Sequence, residues 1–100
     1  MNISKTQTGD SITLVISGRL DSITCVQLSN EIDSINKTGN FNFVFDFETL
    51  DYISSAGLRV ILTTQKHANA NNTKLEIRNI TNSVREVFDM TGLLPILTIV

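Results

Sequence analysis

Phenylalanine recurs at every second position from Phe41 to Phe47, and this stretch restricts the fold more than any other part of the chain. Strict alternation over seven residues is typical of a β-strand with one buried face. Asp46 interrupts the opposite face near the end of the stretch. Stretches with helical spacing lie on both sides of it, so helices must join this strand to its neighbours.

Three stretches have apolar residues three or four positions apart, which is the spacing of one helical face. Their apolar faces consist of Cys25, Leu28, Ile32 and Ile35 in the first, Leu58, Ile61, Leu62 and Ala68 in the second, and Val84, Val87 and Phe88 in the third. Each stretch follows a residue type that caps helices. The candidate caps are Asp21 or Ser22, Ser54 or Ser55, and Thr81 or Ser83.

Four further stretches have strand character. Residues 12–16 alternate, and the turn cluster at 8–11 predicts a hairpin with a weaker first strand at 2–7. Residues 74–78 and 96–100 are predicted as the last two strands. The predicted order is ββαβαβαβ, in one domain over residues 1–100. Right-handed crossovers then give an α/β fold with a single mixed, mostly parallel sheet and crossover helices.

Composition excludes several classes of protein. Eight basic and ten acidic residues give a net charge of −2, whereas nucleic-acid binding needs a concentrated basic face. Cys25 is the single cysteine, so an intrachain disulfide and a multi-cysteine metal cluster are excluded, and it is interpreted as part of the core. The first residues do not resemble a signal peptide, and no apolar run is long enough to span a bilayer. We therefore expect a cytoplasmic protein without membrane insertion.

The polar residues at the predicted strand ends are the candidates for function. In open α/β sheets the functional crevice lies beyond the carboxyl ends of the strands. Residues 18–22, 46–55 and 79–83 should converge there. The side chains that they bring together are Asp21, Asp46, Ser54, Ser55 and Thr81.

Catalytic chemistry at this crevice is not favoured. His67, the only histidine, lies about 18 Å along the second helix from Ser55, which is too far for a Ser-His-Asp triad. No phosphate-binding glycine motif is present. Asp21 and Asp46 could share a magnesium ion, but acids at strand ends more often serve as caps and turn formers. We expect neither a metal nor another cofactor, and no enzyme activity.

Two segments resemble the STAS domain of anti-sigma factor antagonists. In that family a hydrophobic strand ends in aspartate and is followed by a loop, a serine and a Gly-Leu pair that opens a helix, as in FNFVFDFETLDYISSAGLRVIL. The segment ISGRLDSIT is similar to the family's Gly-x-Leu-Asp segment. The element order is also similar, so the resemblance extends over essentially the whole chain.

The resemblance implies a regulatory switch. Such antagonists bind an anti-sigma factor that is also a serine kinase, and thereby release a sigma factor. The kinase phosphorylates the serine two residues before the helix-opening glycine, and a serine phosphatase reverses the reaction. Gly57 and Leu58 supply the landmark, so the implied position is Ser55, with Ser54 as the alternative.

Two hypotheses follow for the function. In the first, Ser55 is the modified hydroxyl, and Asp21, Asp46, Ser54, Gly57 and Leu58 support or form the partner-binding surface. In the second, the chain is a STAS subunit of a lipid-transport complex or a larger signalling assembly, and Ser55 is never phosphorylated. Under the first hypothesis one serine caps the second helix and the other presents its hydroxyl.

Overall fold

The chain folds into one six-stranded sheet with three helices, as a computed structural model of residues 1–100 shows. The strands and helices, in chain order, are β1 (Asn2–Thr8), β2 (Ser11–Leu20), α1 (Thr24–Asn36), β3 (Asn42–Asp46), β4 (Leu50–Ile53), α2 (Ser55–Ala70), β5 (Leu75–Arg78), α3 (Asn82–Met90) and β6 (Thr98–Ile99). None of the three helices combines the length and the apolar character that a bilayer crossing requires.

The strand order across the sheet is β1-β2-β3-β5-β6, with β4 also paired to β2. The β1–β2 hairpin is antiparallel, and every other pairing is parallel. Parallel neighbours require crossover connections, and α1, α2 and α3 supply them. The predicted fold class, a mixed and mostly parallel sheet with the phenylalanine strand in its centre, is confirmed.

One face of the sheet forms the core. Ile12, Leu14 and Ile16 of β2 are buried, whereas the residues between them are half-exposed. Phe43 and Phe45 of β3 continue this layer, and their rings meet edge to face with centroids 6.0 Å apart. All three helices contribute to the same cluster of 20 buried side chains. Burial of this cluster stabilises the whole sheet, including the end next to the two serines.

The sequence does not predict the strand β4 (Leu50–Ile53), because it predicts residues 46–55 as a single connection between β3 and α2. Both β3 and β4 pair with β2, one after the other along its length. The pairing of β3 ends where Asp46 lies opposite Val15, and the pairing of β4 ends where Ile53 lies opposite Leu20. The register shifts at Asp51, which is an extra residue in β4. This bulge breaks the alternation, and the burial pattern of β4 is buried, exposed, exposed, buried.

The last strand is also shorter than predicted. Only Thr98 and Ile99 pair with β5, and the backbone N–H of Val100 adds a hydrogen bond of 2.9 Å to the carbonyl of Ile77. The preceding residues include a turn after Leu93, whose carbonyl accepts a hydrogen bond from the N–H of Leu97. The hydrophobic run at 96–100 therefore packs partly as a turn rather than entirely as a strand.

Candidate functional site

Two helices begin side by side at the paired ends of β2 and β4. Leu20 and Ile53 are the last residues of these strands and lie opposite each other. The backbone N–H of Ser54 donates a hydrogen bond of 2.9 Å to the carbonyl of Leu20, which ties the start of α2 to the end of β2. The first turns of α1 and α2 therefore share one edge of the molecule, and α1 packs against α2.

Ser54 is the cap of α2. Its backbone is extended, and its Oγ accepts a hydrogen bond of 3.3 Å from the N–H of Gly57. Its carbonyl accepts the first hydrogen bond of the helix, 3.0 Å from the N–H of Leu58. The sequence left Ser54 and Ser55 as alternatives for the cap, and the structure selects Ser54.

Ser55 is the first residue of α2, and its side chain is exposed. Its hydroxyl makes no hydrogen bond within the chain, unlike the hydroxyl of Ser54. The first N–H groups of any helix lack intrahelical acceptors, so Ser55 lies where an added anion would meet free donors. Ser55 is thus the more available of the two hydroxyls.

Asp21 follows β2 and fixes the first turn of α1. Its Oδ1 accepts hydrogen bonds from the N–H groups of Ile23 at 3.0 Å and Thr24 at 2.9 Å. In return the Thr24 hydroxyl accepts from the N–H of Asp21 at 2.9 Å. The Thr24 and Ile23 donors, with a smaller contribution from the charge of Arg19, hold the pKa of Asp21 below its ordinary value. Asp21 is therefore a negative charge at neutral pH, next to the start of α2.

Gly57 permits the close approach between α2 and β2. A Cβ at this position would lie 2.8 Å from Cγ of Leu20 and 3.0 Å from both the Leu20 carbonyl oxygen and Cγ1 of Ile53. The next residue, Leu58, is buried in the core. Gly57 and Leu58 thus position the start of the helix. Gly57 has no side chain to offer a partner, and the side chain of Leu58 is in the core.

Asp46 lies apart from the serines. Asp46 lies opposite Val15 of β2, whereas Ile53, the residue before the serines, lies opposite Leu20. Five residues of β2, or about 16 Å, separate these two positions. Its Oδ1 accepts hydrogen bonds from the N–H of Glu48 at 3.0 Å and from Nδ2 of Asn79 at 3.1 Å. The expectation that Asp21, Asp46 and Ser55 lie together is therefore wrong for Asp46, which braces the β3–β4 connection.

Thr81, the remaining predicted site residue, also serves a helix. Its side chain accepts a hydrogen bond of 3.4 Å from the N–H of Val84 and caps α3. It follows β5, whose last residue, Arg78, pairs with Asp46. Thr81 thus belongs with Asp46 and not with the serines.

Apolar side chains beside the serines were not singled out from the sequence. Ile23 is 81% exposed and Val26 is 56% exposed, both at the start of α1. Tyr52 of β4 is also exposed, and the guanidinium carbon of Arg19 lies 4.2 Å from the centroid of its ring. Exposed apolar side chains around a polar centre are typical of a protein-binding surface. Neighbouring Asp21 supplies that surface with a negative charge.

A surface groove of about 260 Å³ lies between α1 and α2, beside their contact. Asp33 lines it on α1, and Arg59, Thr63 and His67 line it on α2. His67 is in the last turn of α2, about 18 Å along the helix from Ser55. No three histidine, cysteine or acidic side chains are grouped as metal ligands.

The chain belongs to the STAS domain family, whose pattern matches residues 2–100. One relative is BtrV of Bordetella bronchiseptica, a candidate anti-sigma factor antagonist. It is 37% identical over 81 residues, which are 81% of this chain and 70% of BtrV. The anti-sigma-B factor antagonist of Staphylococcus aureus is 26% identical over 93 residues, or 93% of this chain and 86% of that protein. The family that the motifs indicated is confirmed.

Solved structures share the fold. The anti-sigma factor antagonist SpoIIAA in its unphosphorylated form has a TM-score of 0.85 at 22% identity, over 99% of this chain and 88% of that one. The phosphorylated form of SpoIIAA from Bacillus has a TM-score of 0.78 at 21% identity, over 99% and 91%. The arrangement of sheet and helices described above is therefore that of the STAS fold.

Proposed function

We propose that this chain is an anti-sigma factor antagonist whose binding is switched off by phosphorylation of Ser55. It binds an anti-sigma factor that is also a serine kinase, and this binding releases a sigma factor. A serine phosphatase restores the unmodified form. The antagonists among its relatives support this role. The chain acts in the cytoplasm by binding, and in the kinase reaction it is the substrate rather than the catalyst.

The observation that supports the proposal is that the hydroxyls of Ser54 and Ser55 differ in their contacts. The Ser54 hydroxyl accepts a hydrogen bond from the backbone of Gly57, whereas the Ser55 hydroxyl is exposed and unpaired. Modifying Ser54 would remove a helix cap, which costs about 0.5–2 kcal/mol. Modifying Ser55 removes no contact within the chain.

The proposed binding surface surrounds Ser55. It consists of Asp21, Ile23 and Val26 at the start of α1, and Ser55 with the backbone of the first turn of α2. Phosphorylation adds about −1.5 to −2 charges to this surface. A partner that covers Ile23 and Val26 would then have to desolvate the phosphate beside the charge of Asp21. Each 1.4 kcal/mol of that penalty weakens binding tenfold, so a 10²-fold loss needs less than about 3 kcal/mol.

Phosphorylation by the cognate anti-sigma kinase, together with calorimetric binding, tests the proposal. Ser55→Ala should fold, escape phosphorylation and bind the kinase persistently. Ser55→Asp should fold and bind at least about 10²-fold more weakly than the parent. Ser54→Ala is the matched control: it should still be phosphorylated, with a loss of at most about 0.5–2 kcal/mol in stability.

Three results would contradict the proposal. Phosphate on the Ser55→Ala protein would transfer the assignment to Ser54. Tight binding by Ser55→Asp would refute the charge switch. Failure of the parent to bind or be phosphorylated by any anti-sigma kinase of its own cell would favour a STAS subunit of a lipid-transport or larger signalling assembly.

A further inference from the structure

Arg59 lies one helical turn after Ser55 and has no charged partner. The ion pair between Arg78 and Glu76 is the only one within 4.0 Å in the structure. The residues three and four positions from Arg59 along α2 are Ser55, Ala56, Leu62 and Thr63, and none of them carries a charge. The guanidinium is therefore exposed and unpaired on the unmodified helix.

The direction of the side chains favours contact between positions 55 and 59. Helical side chains lean towards the N-terminus of their helix, so residues four apart meet on the surface, with Cβ atoms about 5–6 Å apart. An anion placed four residues before a cation is the better of the two orders. Ser55 and Arg59 have this order, and both side chains are exposed on the first turns of α2.

We infer that Arg59 is the internal partner of phosphoserine at position 55, an inference that depends on the assignment of that serine in the proposed function. The planar guanidinium can donate two parallel N–H bonds to phosphate oxygens, which an ammonium group cannot do. The long side chain of Arg59 then reaches back along α2 to the phosphate, which stays at the first turn of the helix. In this position the phosphate covers the start of α2 that the partner would contact.

Other charged groups near this position are few. Asp33 faces the groove from α1, but it lies beyond ion-pair distance of Arg59. Asp21 lies at the end of β2, and its carboxylate is bound to the first turn of α1. His67 lines the same groove near the other end of α2, about 12 Å further along the helix than Arg59. Arg19 of β2 is the other cation at this edge, but its guanidinium carbon lies 4.2 Å from the centroid of the Tyr52 ring, and its charge acts on Asp21. Arg59 is thus the unpaired cation on the same helix as Ser55.

The test uses the full chain with phosphoserine incorporated at position 55 during translation, so it needs no kinase. Phosphorus NMR titration measures the second pKa of the phosphate in the parent and in Arg59→Gln, Arg59→Lys and Lys66→Gln variants. Arg59→Gln should raise that pKa by about 0.3 pH units or more, because the paired cation favours the dianion. Arg59→Lys should give an intermediate value. Lys66→Gln removes the same charge from the same helix about 16 Å from Ser55 and should change little.

Thermal melting supplies a second readout. Arg59→Gln should lower the melting temperature of the phosphoserine protein by about 1–4 °C more than that of the unmodified protein. An unchanged phosphate pKa in Arg59→Gln, or equal effects of Arg59→Gln and Lys66→Gln, would refute the role of Arg59. Absence of phosphoserine from the cellular protein would instead refute the proposed function, and the two failures are therefore distinguishable.

Discussion

Replacing Gly57 with alanine should destabilise the protein, although alanine is the better helix former. In a helix interior, glycine is less favourable than alanine by about 0.5–1 kcal/mol, so propensity alone predicts a gain. The added Cβ would lie 2.8 Å from Cγ of Leu20 and 3.0 Å from the Leu20 carbonyl oxygen. The side chain of Leu20 is fully buried, and its carbonyl accepts the hydrogen bond from Ser54, so neither atom moves easily.

Overpacking of this kind costs about 1–3 kcal/mol. The gain in helix propensity leaves a net loss of up to about 2.5 kcal/mol, and because the 2.8 Å contact is with the fully buried Leu20 we expect about 1–2 kcal/mol. For a chain of this size the melting temperature should fall by roughly 4–16 °C. Urea denaturation of Gly57→Ala beside the parent measures the difference directly.

The neighbouring position supplies the matched control. Ala56→Gly changes the same two residue types in the opposite direction on the same turn, and it should lose at most about 0.5–1 kcal/mol through propensity. If Gly57→Ala were as stable as the parent or more stable, the contact between α2 and Leu20 would not restrict position 57, and the reasoning would fail.

Three further changes test other parts of the structure. Phe45 is fully buried in β3, so Phe45→Ala should cost about 3–5 kcal/mol in denaturant melts, and a loss below about 1 kcal/mol would contradict its place in the core. Since the Thr24 and Ile23 N–H groups lower the pKa of Asp21 below 3.8, its ionised form stabilises the fold above that pH, and this contribution is lost as the pH falls through the lower folded value. Asp21→Asn should therefore have a lower melting temperature than the parent at pH 6, and the difference should shrink below about pH 4. A difference in melting temperature that does not change with pH would contradict this role of the Asp21 charge. Gln65 is buried with Oε1 unpaired, and its Nε2 donates to Oδ1 of Asn69, an exposed residue that can bond to water instead. Gln65→Met should therefore be equally stable or up to about 1 kcal/mol more stable in urea denaturation, and a loss above about 1 kcal/mol would contradict this reasoning.

Local patterns predicted most of this fold because most of its elements are regular. The phenylalanine strand and the three helices have clear periods of two and of three to four residues in the sequence. The buried residues of the helices follow their period, and in β3 Val44 is buried in addition to Phe43 and Phe45. The strand β4 has no such period, because the bulge at Asp51 leaves two consecutive exposed residues. A four-residue strand with a bulge cannot be distinguished from a loop by alternation.

The candidate site was predictable where it depends on neighbours along the chain. The sequence predicts Asp21 and Ser54 as possible caps, and each bonds to N–H groups two or three residues later. Ser54 directly precedes α2, whereas Asp21 lies three residues before α1, which begins after Ile23. Asp46 was misplaced because its position depends on β4. Its bond to Asn79, 33 residues away, depends on how β3 and β5 pair. The exposed apolar residues at the start of α1 were missed because the helical pattern identifies only the face that is buried.

The side-by-side starts of α1 and α2 have an electrostatic consequence. Each helix begins with a partial positive charge from its aligned peptide dipoles, and the two charges lie at the same edge of the sheet. Neither helix has an acidic residue in its first turn, but the carboxylate of Asp21 accepts hydrogen bonds from the N–H groups of Ile23 and Thr24 and so offsets the charge of α1, whereas no carboxylate bonds to the start of α2. A phosphate on Ser55 would supply the missing anion and stabilise the free protein by about 0.3–1 kcal/mol. The cost of the modification would then fall on the complex and not on the fold, so each cycle would return an intact domain.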